Sequence, residues 1–238
     1  MNKLYQASTL NALILGNFQG VTTVGELLAK GSYGIGTFEG LDGELIALDG
    51  KVYNGKGNGS IQEYGKDEKS AFAVMYNISD NAKDYSFQNI INFEHLKENL
   101  NRVINEDYKN KNVFYVLKAE VTLNSVKVRS FYKQEKPYKT LPQLVSSQTE
   151  YTYENCKGYF VGVWCPIYVE GLNMPGWHLH FLSHDKTKGG HMLEVDIKEA
   201  KITIEDKTDF EMVLPTNEEF KSINLNSDLR KDTEKVEG

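Results

Sequence analysis

Cysteine, arginine and proline are scarce in this chain: 238 residues hold two, three and five of them. Cys156 and Cys165 fit no Cys-x-x-Cys spacing, and two thiols make no disulfide framework, so metal-thiolate and redox motifs are excluded. Both read as reduced thiols in or near the core, which agrees with a cytoplasmic protein. Basic charge is also lacking, with a net charge of −6 and a pI near 5.5, so there is no electrostatic footprint for nucleic acid. No apolar stretch is long enough to span a membrane. The segment 4–15 resembles a leader only faintly, because Gln6, Ser8, Thr9 and Asn11 interrupt it and no Ala-x-Ala-like site follows. It is read as a short amphipathic helix. Glycine-rich Gly55-Lys56-Gly57-Asn58-Gly59-Ser60 lacks phosphate-loop spacing and opens no helix, so it predicts a hairpin turn and no nucleotide.

What the chain does have is clustered histidine. Three of its five histidines fall in Trp177-His178-Leu179-His180-Phe181 and Gly189-Gly190-His191. Strand side chains alternate faces with period two. A strand here turns Trp177, Leu179 and Phe181 to a core and puts His178 and His180 together on the other face. The polar segment from Ser183 to Gly190 reads as a hairpin turn that returns His191 beside the pair. Three imidazoles without a thiolate describe a catalytic zinc-type site, since three protein ligands leave one position open. The competing reading is a pair of ordinary polar strand residues, and convergence depends on a strand register that spacing does not fix. His184 competes with His191 as third ligand, but its neighbours Asp185-Lys186-Thr187-Lys188 look solvated, and a mobile tip holds a metal poorly.

Along the chain, Thr22-Thr23 caps a predicted short helix at 24–28. Segments 34–38, 44–48 and 51–53 read as strands, with turns at Leu41-Asp42-Gly43 and Leu48-Asp49-Gly50. A strand at 70–76 continues the sheet. Phe93, Leu96, Leu100, Val103 and Ile104 recur at helical spacing, so 93–104 is the clearest helix, with His95 off its apolar stripe. Residues 113–131 predict one or two strands, 138–144 a loop or short helix, and 150–204 is strand-rich. Charged segments 216–223 and 226–236 look helical. Mostly short, hairpin-linked strands with a few helices favour an α+β fold of mixed or antiparallel sheets, with two sheet-based halves packed together. The chain is read as one unit over 1–238, with a possible subdivision near residue 140: an N-terminal sheet half over 1–140, and a C-terminal half over 141–238 carrying the metal site and tail.

Arg129 stands in a strand-like run, and Glu44 directly follows the Leu41-Asp42-Gly43 turn. A fixed guanidinium near a metal suits bidentate binding of a carboxylate. Spacing alone does not lift either residue above a solvated charge.

These blocks together resemble the α-acetolactate decarboxylase family from end to end. The resemblance is carried by Gly36-Thr37-Phe38 with Leu41-Asp42-Gly43-Glu44, by the Arg129 strand, by Lys136-Pro137-Tyr138, and above all by the histidine blocks. It implies zinc held by His178, His180 and His191, an active-site glutamate at Glu44, an arginine at Arg129 and a threonine at Thr37. It also implies a second glutamate from the C-terminal tail, placed at Glu237 with Glu234 as the fallback. A turn residue of acidic or polar type is expected where His184 stands. The implied activity is that of a carboxy-lyase: zinc-dependent decarboxylation of 2-acetolactate to (R)-acetoin. The zinc would chelate the substrate ketone and hydroxyl and stabilise the enediolate. Arg129 would hold the carboxylate or orient the substrate, and Glu44 or the tail glutamate would deliver a proton, a task that needs a raised pKa. No organic cofactor is expected, and the family suggests a homodimer.

Two other readings remain open. A cupin-like metal-dependent oxygenase or isomerase shares His-x-His on a strand, but wants a glutamate shortly after the pair and a last histidine much further on. A non-catalytic metal or ligand module would need a fourth strong ligand beside the three histidines.

Overall fold

The computed structural model describes residues 2–237, and the side chains of Glu234 and Glu237 lie outside the described set. The chain runs β1 (Lys3–Ala7), α1 (Leu10–Ile14), β2 (Thr22–Thr23), α2 (Val24–Leu28), β3 (Tyr33–Phe38), β4 (Glu44–Leu48), β5 (Lys51–Gly55), β6 (Ile61–Tyr64) and β7 (Lys69–Tyr76). There follow β8 (Lys83–Ile90), α3 (Phe93–Val103), β9 (Phe114–Ser130), α4 (Leu141–Leu144), β10 (Thr149–Cys165), β11 (Gly176–Ser183) and β12 (Gly189–Lys207). The last elements are β13 (Asp209–Val213), α5 (Glu218–Ser222) and α6 (Arg230–Glu237). This is the α+β fold expected.

The first sheet has the order β13-β1-β7-β3-β4-β5-β6, with β2 on β7, and β13 is parallel to β1. The second has the order β11-β10-β9-β12-β8, and β11 also pairs with the start of β12, so four of its strands close into a ring. The change of sheet comes between Tyr76 and Lys83, and β13 crosses back to the first sheet.

Period-two alternation sorts the apolar residues among three cores. In β7, Phe72, Val74 and Tyr76 face the core between the sheets, whereas Ala73 and Met75 face the core under α2. In β11, Trp177, Leu179 and Phe181 enter the core of the second sheet, with Leu96 and Leu100 of α3, and Leu182 turns to the core between the sheets. Tyr76 stitches the two sheets: its hydroxyl donates to the Leu117 carbonyl oxygen at 2.6 Å and accepts from the Gly162 N–H at 2.9 Å.

The segment 4–15 is not one helix. Leu4 and Tyr5 face opposite cores, so strand burial wins over Lys3–Ala7, and the helix starts only after Thr9, whose side chain accepts from the Ala12 N–H at 3.1 Å. The helix at 24–28 forms as expected, with Thr23 and Glu26 in a reciprocal capping box. The strands β6, β8 and β13 carry largely exposed or half-buried side chains, so little apolar alternation announces them. The glycine-rich segment after β5 is a turn, with the Lys56 N–H donating to the Ser60 carbonyl oxygen at 2.9 Å. Both cysteines are free thiols, Cys165 buried and Cys156 half-buried. Among the described residues, no helix is long and apolar enough to cross a membrane.

Candidate active site

The histidine hairpin forms, and its register, which spacing left open, brings the histidines together. His180 pairs with His191 across β11 and β12, and His191 pairs in turn with Arg129 of β9. His178 and His180, one strand period apart, share the face opposite Trp177 and Leu179. One ligand atom from each of the three imidazoles lies within 4.8 Å of the others, and all three rings are buried. His178 Nε2 is 2.9 Å from His191 Nδ1 and 3.3 Å from His180 Nε2. His180 Nδ1 lies 2.9 Å from the Leu45 carbonyl oxygen, which can only accept, so Nδ1 carries a proton, and in the neutral ring Nε2 keeps the lone pair a metal would use.

Burial, and after it the Arg129 guanidinium, pushes His178 down to about 3. Burial, Arg129 and the neighbouring imidazoles push His191 well below its ordinary value. Both rings are therefore neutral near pH 7, the form in which imidazole ligates a metal. A converging set of buried nitrogen donors without thiolate fits a borderline ion such as zinc.

Glu44 reaches this group from the other sheet. Its carboxylate Oε2 is 3.6 Å from His180 Nε2, and the residue is buried. The turn before it is tied down on three sides. Thr37 Oγ1 donates to the Gly43 carbonyl oxygen at 2.7 Å, Asn54 Nδ2 donates to the Asp42 carbonyl oxygen at 2.7 Å, and the Tyr64 hydroxyl donates to Asp42 Oδ2 at 3.1 Å. Gly43 sits at φ +79°, in the left-handed region that suits glycine. Thr37 and Glu44 are cross-strand partners, so the threonine that holds the turn also lines the site.

Arg129 is aimed by a phase change in β9. Leu117, Ala119, Val121 and Leu123 point into the second sheet's core, and so do Val126 and Val128, one residue out of step. The slip comes at Asn124, which the β12 ladder skips: Asp196 pairs with Ser125 and Ile197 with Leu123. Without it, Arg129 would point into that core. With it, Arg129 is buried on the histidine side, and its Nη1 donates to the Val236 carbonyl oxygen of α6.

One small cavity is lined by Thr37, Glu44, Arg129, His178, His180 and His191. Gly36 also lines it, and Leu10, Leu13, Leu41, Phe72, Phe131 and Leu141 form its apolar wall, a set the sequence reading missed. Its only sequence signal is the apolar residues at 10 and 13 and the leucine of the Leu-Asp-Gly turn. The proposed tail glutamate, Glu237, and its fallback Glu234 have side chains outside the described residues. The backbone of α6 does reach the site, through Val236. His184 stays apart, stacked on Tyr159 with ring centroids 5.5 Å apart.

Architecture and site define a two-sheet α+β protein with a buried three-histidine group able to hold a metal, served by a carboxylate from the facing sheet. Residues 4–227 match the family described as alpha-acetolactate decarboxylase, and the chain belongs to that family. It is 37% identical to the alpha-acetolactate decarboxylase of Methanosarcina mazei over 235 residues, covering 98% of this chain and 80% of the relative. It is 30% identical to that of Bacillus subtilis strain 168 over 239 residues, covering 100% of this chain and 92% of the relative. The crystal structure of alpha-acetolactate decarboxylase from Bacillus subtilis strain 168 superposes with a TM-score of 0.94 at 29% identity, over 99% of each chain. The cupin-like reading is set aside: the carboxylate comes from another sheet rather than from a position shortly after the histidine pair.

Proposed function

We propose that this protein is a zinc-dependent carboxy-lyase that converts 2-acetolactate to (R)-acetoin and carbon dioxide. The observation that carries this is the convergence of three buried imidazoles, Glu44 and Arg129 on one cavity in a member of this family. His178, His180 and His191 would hold the ion. Bound there, it would supply a Lewis acid to the substrate's ketone and hydroxyl oxygens.

The chain's own groups account for the rest. The substrate is an anion, and Arg129 offers a planar, permanently charged donor pair for its carboxylate. The apolar wall of Leu10, Leu13, Phe131 and Leu141 receives its methyl groups and limits water. The bond to the carboxylate breaks, carbon dioxide leaves, and the electron pair passes to the neighbouring carbonyl. Glu44, buried beside the histidines, delivers a proton to the carbon that lost carbon dioxide, and a tail glutamate is the alternative donor. A cytoplasmic homodimer completes the proposal.

The test is direct. Zinc-loaded protein given racemic 2-acetolactate releases carbon dioxide and acetoin, and complete chelation ends the release. Undiminished turnover after full metal removal sinks the proposal.

A further inference from the structure

We propose that the tip of the β11–β12 hairpin is a positioning element for the metal centre, with Asp185 as the residue that sets the histidine register. This rests on the reading of His178, His180 and His191 as metal ligands.

The ladder that brings His191 opposite His180 is short: three pairs, His180 with His191, Phe181 with Gly190 and Leu182 with Gly189. Two of the three β12 positions are glycine, and glycine-rich strands specify register weakly. Those glycines cannot readily be exchanged for side chains that would specify it. A Cβ on Gly189 would meet the Phe181 carbonyl oxygen at 2.6 Å, and one on Gly190, at φ +152°, the Arg129 carbonyl oxygen at 2.6 Å. The longer pairing of β12 with β9 is itself interrupted, first at Leu193 and again around Ile197, so only His191 and Met192 are tied to β9 on the near side of the first irregularity. A slip of one residue would turn His191 to the opposite face and dissolve the ligand set.

The turn supplies what the ladder lacks. Ser183 Oγ donates to Asp185 Oδ1 at 2.6 Å and accepts from the backbone N–H groups of Thr187 and Lys188 at 3.1 and 3.0 Å. The same Asp185 oxygen accepts from Thr187 N–H at 3.1 Å and Thr187 Oγ1 at 2.8 Å. The Ser183 N–H closes the turn on the Lys188 carbonyl oxygen at 2.8 Å. The loop length is thereby fixed at one value. The tip is also docked: His184 stacks on Tyr159, and Lys186 Nζ sits 4.0 Å from the centroid of the same ring. Asp185 touches neither metal nor substrate; it acts through the strands on either side of it.

The experiment measures zinc affinity by competition against a chromophoric chelator, in the full chain, with wild type, Asp185→Ala and Asp185→Asn. Wild type is expected to take one zinc. Asp185→Ala should bind it about tenfold more weakly, while the thermal transition of the metal-free protein stays within a few degrees of wild type. Asp185→Asn keeps an oxygen acceptor and should recover affinity to within about twofold. Should the alanine variant fail to fold, Thr187→Val deletes one bond to the carboxylate and should weaken zinc about threefold. Wild-type affinity in Asp185→Ala overturns the inference, and so does equal weakness in the alanine and asparagine variants. A wild-type protein that takes no zinc overturns both this inference and the function proposed above.

Discussion

His180 Nδ1 and the Leu45 carbonyl oxygen lie 2.9 Å apart, which joins the metal-site hairpin of one sheet to the strand of the other that begins with Glu44. This contact does two things at once. It fixes the protonated nitrogen of His180, and it sets the distance from that imidazole to the Glu44 carboxylate. The candidate site is thus an interface between sheets, and its chemistry depends on their packing.

Removing a ligand should remove the ion. His178→Ala and His191→Ala are expected to lose bound zinc, measured by elemental analysis after gel filtration, together with acetoin production. Stoichiometric zinc in either variant would contradict the ligand assignment.

Glu44→Gln separates proton delivery from metal binding. The amide keeps the shape and cannot act as the acid, so kcat should fall by about 10²–10⁴-fold while zinc content is retained. A kcat near wild type would pass the role to the tail, where Glu237→Gln and Glu234→Gln are the next variants.

Arg129→Lys preserves the charge and loses the planar fork. KM for 2-acetolactate should rise by about tenfold or more, with a smaller change in kcat. An unchanged KM would remove Arg129 from carboxylate recognition.

The metal-free protein should be acid-sensitive. His178 is lowered from 6.5 to about 3 in the folded state, chiefly by burial, and His191 moves the same way. Below pH 6.5 the unfolded chain takes up protons that the native rings refuse, so stability falls as pH drops through the window from 6.5 towards 3. It is fully present above that window. Melting temperatures in chelator at pH 7.5 and 5 should show the decline, and a variant lacking both histidines should flatten it.

The ring of the second sheet depends on its core. Phe181 is fully buried, so Phe181→Ala should cost about 3–5 kcal/mol and lower the melting temperature by about 10 °C. A shift under about 2 °C would mean the cavity collapses at little cost.

Much of this was legible locally. The His178–His180 pair follows from period-two alternation with Trp177, Leu179 and Phe181, and the Thr23 cap announces α2. The aim of Arg129 was not: the apolar run ending at Leu123 and the run starting at Val126 are out of phase, but spacing alone left Arg129 a solvated charge. Segment 4–15 was misread because a strand buried on both faces between β13 and β7 carries apolar residues at positions a short helix would also use. The polar strands β6, β8 and β13 give no apolar period to read.

By itself the sequence determined which side chains share a strand face, where the turns fall and which residue types stand ready for metal chemistry, because these follow from backbone geometry over a few residues. Tertiary structure alone decided that His191 lies opposite His180, that the Leu45 carbonyl oxygen takes the proton of His180, and that Glu44 from one sheet and Arg129 from the other meet at one cavity. Those relationships join residues up to 136 positions apart, from Glu44 to His180, and only sheet pairing and the packing of two sheets on a common core bring them within reach.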